Sequence, residues 1–275
     1  MKRMPDTSRV AAAFHQKAAE YDQHVLVQKR IVANLAGSVE YQQDQAAGHI
    51  LDVGTGTGAL LEKLHLLYPN VRLTGVDIAL NMCLCTLQKL GAICQPVNGD
   101  AEHLPFRTGV FDLVVSASAL QWVGNLSAAL HEMRRVVRPG GTIRLAFFCA
   151  GTLDELQHCF RDVCGSDNSQ RVSRLHGFRT VDDVKSILND MDLERFVVTV
   201  ETEVDWYDDL HSLLRSIKNI GAGTVAGGSG SGLGWRGILQ ETSRLYHERF
   251  SQNGRIPATY KVLYLSAYTR SQPGI

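Results

Sequence analysis

Between residues 48 and 148 short apolar runs alternate with longer segments whose apolar positions recur every three or four residues. GHILDVG, VRLTGVD, AICQPVNGD, FDLVVSAS and TIRLAFF read as strands; each is a brief apolar run, and the first four are closed by glycine, aspartate or serine. ALLEKLHLLY, ALNMCLCTLQKLG and LSAALHEMRRVV carry the helical period. Strands that alternate with helices in this way predict right-handed crossovers and a mostly parallel sheet covered on both faces.

The flanks read differently. Phe14, Ala18, Tyr21 and Val25 follow one another at steps of four, three and four, which predicts one helical face within residues 9–36. Helical segments are expected near 152–164 and 180–190, and RFVVTVETEVDW reads as a strand. DDLHSLLRSIKNIG and WRGILQETSRLYHERF read as helices on either side of a glycine-rich loop from Ala226 to Gly234. ATYKVLYLSAYT reads as a closing strand. The expected organisation is an N-terminal helical cover over 1–45, an α/β core over 46–206, a helical insert over 207–256 and a final core strand over 257–275.

Composition narrows the class. The 275 residues are 44% hydrophobic and 20% charged, enough for a sizeable core. Formal net charge is zero, so no global field steers the chain to nucleic acid or membrane. Cys83, Cys85, Cys94, Cys149, Cys159 and Cys164 lack the Cys-x-x-Cys spacing of a zinc or redox site, and no metal is expected. His103, His131, His158 and His176 are scattered without ligand spacing. MKRMPDTSRV has no apolar run behind its basic residues and no window is long enough to span a bilayer, so a cytoplasmic protein is expected.

The chemistry concentrates in Asp52-Val53-Gly54-Thr55-Gly56-Thr57-Gly58, a glycine turn between a strand and a helix. Gly54, Gly56 and Ala59 match the dinucleotide fingerprint, which by itself is a weak signal. Asp52 changes the reading, because a carboxylate two residues before the first glycine repels a pyrophosphate and suits a cationic amino group. Asp77 ends the second strand 19 residues after Gly58, where an acid accepts ribose hydroxyls. Asp100 ends the third strand and can accept an adenine amino group; either of these two acids could instead cap the following helix.

LDVGTGTG, GVDIALNM, GDAEHLPF, FDLVVSASALQW and VRPGGTIRLAF, in that order, resemble the motifs of the class I methyltransferases that use S-adenosylmethionine (SAM). The resemblance implies a Rossmann-like α/β fold with a seven-stranded, mostly parallel sheet, an antiparallel last strand and a helical lid insert. It implies that Asp52, Gly54, Thr55 and Gly56 hold the methionyl part of SAM, with Ser116 nearby. It implies that Asp77 takes the ribose, that Ile78 and Met82 pack on the adenine, and that Asp100 and Ala101 read its edge. AAAFHQKAAEYDQHVLVQK, GTLDELQ, HGFRTVDDV, LLRSIKNIGAGT and GRIPATYKVLYLSAYT further resemble the malonyl-acyl-carrier-protein O-methyltransferases of biotin synthesis. The loop Val225 to Gly237 departs from that pattern, being rich in glycine and carrying only Arg236 as a basic residue.

That family implies methyl transfer from SAM, leaving S-adenosylhomocysteine (SAH), to the free carboxylate of a malonyl thioester on acyl carrier protein or coenzyme A. A carboxylate is ionised at neutral pH, so the chain needs no general base, and none is evident. Tyr21 is the candidate for closing over the donor and donating to the acceptor carboxylate, Gln121 for orienting the acceptor, and Trp122 for walling the pocket. Arg215 and Lys218, or Arg171, Arg174 and Arg179, are candidate basic patches for an acidic carrier. Three alternatives stay open on sequence alone: a methyltransferase for another small acceptor such as a quinone precursor, a nicotinamide-dependent dehydrogenase, and a SAM-binding protein without turnover.

Overall fold

The computed structural model describes residues 7–18, 21–24, 26–40, 48–165, 177–219 and 233–271. Among them seven strands form one sheet: β1 (His49–Val53), β2 (Arg72–Asp77), β3 (Cys94–Asn98), β4 (Phe111–Ala117), β5 (Val137–Phe148), β6 (Arg195–Tyr207) and β7 (Ile256–Tyr268). Their order is β3-β2-β1-β4-β5-β7-β6. The pairs among β1 to β5 are parallel, and β7 runs antiparallel to both β5 and β6. This is the Rossmann-like sheet with an antiparallel last strand that the motifs implied.

The helices are α1 (Thr7–Lys17), α2 (Tyr21–His24), α3 (Leu26–Ser38), α4 (Ala59–Leu67), α5 (Leu80–Leu90), α6 (Leu126–Val136), α7 (Asp154–Cys164), α8 (Val181–Asn189), α9 (Leu210–Asn219) and α10 (Leu233–Phe250). They cover both sheet faces. Ile50 and Leu51 are neighbours in β1, so they point to opposite faces. Ile50 packs with α3 and α4 residues such as Ile31 and Leu64, and Leu51 packs with α6 residues such as Leu130 and Met133. Local chemistry starts two of these helices: Asn125 caps α6 by accepting from Ala128 N, and Thr180 and Asp183 form a reciprocal capping box on α8.

Two local expectations differ from the structure. The N-terminal apolar face is not one helix: α1 stops at Lys17 and α2 restarts at Tyr21, while Val25 lies outside the described residues. Phe14, Ala18 and Tyr21 nevertheless meet in one cluster against Ala79, Met82 and Cys85. Their spacing reports a shared packing partner. The fifth strand also starts earlier than its apolar run, at Val137, with a register shift between the Phe111↔Val137 and Leu113↔Thr142 pairs. The Pro139-Gly140-Gly141 stretch fills that shift as a bulge.

The sheet order places the site. β1 has β2 on one side and β4 on the other, so successive crossovers leave in opposite directions between β1 and β4. A crevice opens there at the carboxyl ends of the strands, where doubly wound sheets bind ligands.

Candidate active site

The glycine turn is built by close approach. The N–H groups of Gly54 and Thr55 both donate to Val76 O at the end of β2, at 2.8 and 3.1 Å. Gly54 has φ +73°, and a Cβ there would stand 2.2 Å from Ala119 Cβ. Only a residue without a side chain lets the end of β1 touch the segment after β4. Thr86 Oγ1 of α5 donates to Gly56 O at 2.8 Å and fixes the far side of the turn.

The three acids occupy different environments. Asp77 Oδ2 accepts from Gly56 N and Oδ1 from Ala79 N, both at 2.9 Å. Burial raises its carboxyl above the ordinary range against the pull of those two amides. A carboxylate has about four lone-pair sites, so each oxygen can still accept a ligand hydroxyl. Asp52 is 2% exposed, and its Oδ1, like the hydroxyl of Thr55, has no hydrogen-bond partner among the described residues. Burial, opposed by the nearby Thr55 hydroxyl and reinforced by the negative charge of Asp77, pushes the Asp52 carboxyl up to about 7. A buried carboxylate with one oxygen unpartnered, beside the Thr55 hydroxyl, suits a bound cationic donor. Asp100 Oδ1 accepts from Glu102 N at 2.9 Å and its carbonyl from His103 N at 3.1 Å, so it closes a tight turn at the cavity rim.

These groups line a cavity with about 750 Å³ of empty space, counting its open mouth. Gly54, Gly56, Asp77, Ile78, Met82, Asp100, Ala101, Tyr21 and Trp122 all contribute to its wall. Asp52 and Thr55 line an adjoining pocket that shares Tyr21, Gly54, Gly56, Ala117 and Ser118 with the first. Two expected residues sit elsewhere. Ser116 is buried beneath the turn, its hydroxyl donating to Val53 O at 2.6 Å. Gln121 is 7% exposed and turns inward, its Nε2 donating to Ser118 O at 2.7 Å.

The N-terminal segment roofs the cavity. Phe14 meets Tyr21 and Trp122 edge to face, with ring centroids 6.2 and 5.9 Å apart. Asp22 accepts from Thr57 Oγ1 of the glycine turn at 2.6 Å, and Asn81 Nδ2 of α5 donates to His15 O at 2.9 Å. Burial first, then the charges of Asp77 and Asp22, raise the Tyr21 hydroxyl far above its ordinary range, so it keeps its proton as a donor. Val10, Phe14 and Ser118 line the wall without having been singled out as site residues. Phe14 was visible as part of an apolar face; nothing in the local sequence marks Ser118.

The candidate basic residues are dispersed. Arg215 and Lys218 are exposed on α9, which packs against α2, whereas Arg179 donates to Gly124 O at 3.2 Å. Arg171, Arg174, His176 and most of the glycine-rich loop lie outside the described residues. His103, His131 and His158 are exposed, and the last two are tied to the backbone of their own helices. Among the described residues no group of three or more His, Cys, Asp or Glu side chains could hold a metal ion, and no helix is long and apolar enough to cross a membrane.

Residues 51–145 match the family model of a methyltransferase domain. The malonyl-[acyl-carrier protein] O-methyltransferase of Geobacter sulfurreducens is 40% identical, over 95% of this chain and 98% of its own length. The chain belongs to the malonyl-acyl-carrier-protein O-methyltransferase family. A second family member, from Dechloromonas aromatica, is 33% identical over 96% of this chain and 95% of its own. The biotin biosynthesis bifunctional protein BioHC of Teredinibacter turnerae is 30% identical over 94% of this chain and 46% of its own. Among solved structures, the YcgJ protein of Bacillus subtilis superposes with a TM-score of 0.61 at 19% identity, covering 88% of this chain and 99% of its own. Family membership makes the chain a methyltransferase, and the cavity fits SAM: a glycine cradle, a buried acid for an ammonium, a strand-end acid for a ribose and an apolar wall for a base.

Proposed function

We propose that this chain methylates the free carboxylate of a malonyl group carried on acyl carrier protein, forming the methyl ester that enters biotin synthesis. The observation that carries the acceptor is similarity along the whole length, 40% over 98% of the Geobacter sulfurreducens relative, including the roof and the helices between β6 and β7. Acceptor choice in this fold resides in such peripheral elements and not in the donor cradle. A relative named for biotin biosynthesis supports the pathway. The quinone-precursor alternative has no comparable support.

SAM, when bound, supplies an electrophilic methyl group that passes to a carboxylate oxygen, with the carbon–sulfur electron pair remaining on sulfur and no proton transferred. The residues of the chain bind, orient and exclude water. Asp52 would take the ammonium, Asp77 the ribose hydroxyls, Ile78 and Met82 the adenine face, and Asp100 with Ala101 its edge, all being residues that line the two adjoining cavities. Tyr21, held protonated, donates to the acceptor carboxylate, and Phe14 and Trp122 close the wall beside it. Opposite charges cancel as the reaction proceeds, so a dry cavity under α1 and α2 favours it. Orientation of donor and acceptor supplies on the order of 7–11 kcal/mol in favourable cases. The exposed Arg215 and Lys218 beside α2 offer an acidic carrier a contact that weakens with salt.

The test is intact-mass spectrometry of malonyl-acyl carrier protein after incubation with the protein and SAM, with malonyl-coenzyme A and free malonate in parallel. The expected result is one added methyl, removed by mild base, with the carrier-bound acceptor fastest. No methyl on any of the three, with SAH still bound, overturns the acceptor assignment and leaves the donor site standing.

A further inference from the structure

Ser118 follows the end of β4 and combines two unfavourable features. Its φ is +56°, a left-handed conformation that a serine rarely adopts. It is 8% exposed, and its hydroxyl has no hydrogen-bond partner among the described residues. Buried hydroxyls are ordinarily paired, and strained backbone persists where the surroundings over-determine it. The surroundings here do so from both ends. Ser118 N donates to Ala146 O of β5 at 2.7 Å, and Ser118 O accepts from Gln121 Nε2 at 2.7 Å. The result is a residue on the wall common to both cavities, which Gly54 and Tyr21 also line, with a buried hydroxyl that has no partner of its own among the described residues.

We infer that Ser118 Oγ donates a hydrogen bond to the acceptor's malonyl carboxylate, and that Gln121 is a positioning residue acting through the Ser118 carbonyl. This rests on the acceptor proposed above. The hydroxyl engages the oxygen that does not attack, leaving a lone pair of the other oxygen directed at the donor. Tyr21 and Ser118 line both cavities, one from the N-terminal roof and the other from the end of β4, so both are available to the same carboxylate. Gln121, which the sequence suggested as a direct acceptor contact, is not among the residues that line the two cavities and instead holds the carbonyl of the residue that makes one.

The test compares Ser118→Gly, which keeps the left-handed backbone and removes the hydroxyl, with Ser118→Ala, which removes the hydroxyl under the same strain. Thermal melting establishes folding, and quenching of tryptophan fluorescence gives the affinity for SAH. Calorimetry in saturating SAH gives the affinity for malonyl-acyl carrier protein, with holo-acyl carrier protein as the acceptor lacking a carboxylate. The expected result is SAH affinity within about twofold of the parent, malonyl-carrier affinity and kcat/KM lowered about tenfold to a hundredfold, and unchanged holo-carrier affinity. Gln121→Ala is expected to lower kcat/KM in the parent and to add little in the Ser118→Gly background. Unchanged malonyl-carrier affinity in both Ser118 variants, with the parent active, overturns the Ser118 role alone. Weakened SAH binding with an unchanged acceptor reassigns the hydroxyl to the cofactor, and additive Gln121 and Ser118 losses refute the positioning role. A parent enzyme inactive on every malonyl acceptor overturns this inference together with the proposed function.

Discussion

Gly54→Ala tests the donor cradle at its tightest point. The new Cβ would stand 2.2 Å from Ala119 Cβ and 3.7 Å from Ala119 Cα. Ordinary carbon–carbon contact is about 3.5–4.0 Å, so the turn and the segment after β4 must part by roughly 1.5 Å. Overpacking of this kind costs about 1–3 kcal/mol. Holding an L-residue at the observed φ of +73° adds about 1–2 kcal/mol, for a total of about 2–5 kcal/mol. The same displacement carries Gly56 N away from Asp77, and a misplacement near 1 Å can reduce turnover about a hundredfold. Urea unfolding followed by circular dichroism measures the first quantity, and tryptophan quenching by SAH with steady-state turnover measures the second. Adding Ala119→Gly removes the colliding atom. It is expected to restore the steric share, about 1–3 kcal/mol, and to leave the backbone share in place. A Gly54→Ala protein that unfolds and binds SAH like the parent, or one that Ala119→Gly does not improve, refutes the close-approach argument.

Four other outcomes are expected. Burial pushes the Asp52 carboxyl up to about 7, above the unfolded value of about 3.9, so the folded state holds this proton more tightly. Its contribution to stability is therefore greatest below about pH 4 and declines until about pH 7; Asp52→Asn should flatten that part of the stability profile, and an unchanged profile counts against the assignment. On the proposed role of ionised Asp52 toward the ammonium, SAH affinity should rise through neutral pH in the parent and stay level in Asp52→Asn, as calorimetry across pH 5.5–8.5 (about three units about neutrality) would show. Asp22→Ala removes the contact with Thr57 Oγ1 and the longer one with Lys89, so limited proteolysis should cut the N-terminal segment faster and KM for SAM should rise several-fold, whereas equal cleavage rates would deny the latch. Tyr21→Phe should lower kcat about tenfold with SAH affinity nearly unchanged, as loss of one hydrogen bond to a charged group requires; full turnover would remove Tyr21 from the acceptor site.

What sequence alone determined about this protein was its local chemistry and the class of its sheet. Alternating apolar runs dictate a parallel α/β core because each buried strand needs a covering helix, and the closing strand was legible from its own alternation. Asp52, Gly54 and Gly56 were legible because one strand-to-helix turn carries them within a few residues of one another, and Asp77 because it is the acid that ends the next strand. Tertiary structure decided whatever depends on distant segments meeting. The collision that makes Gly54 obligatory involves Ala119, and the roof forms because Phe14, Ala18 and Tyr21 pack onto Met82. Gln121 looked like a site residue because a polar side chain after β4 usually faces the ligand, yet its amide found a backbone carbonyl three residues earlier. Ser118 lay within the FDLVVSASALQW stretch, but nothing there distinguished it from its neighbours. Its importance lies in a positive φ, a missing hydrogen-bond partner and a place on a shared wall, and these exist only once β4, β5 and the glycine turn have packed together.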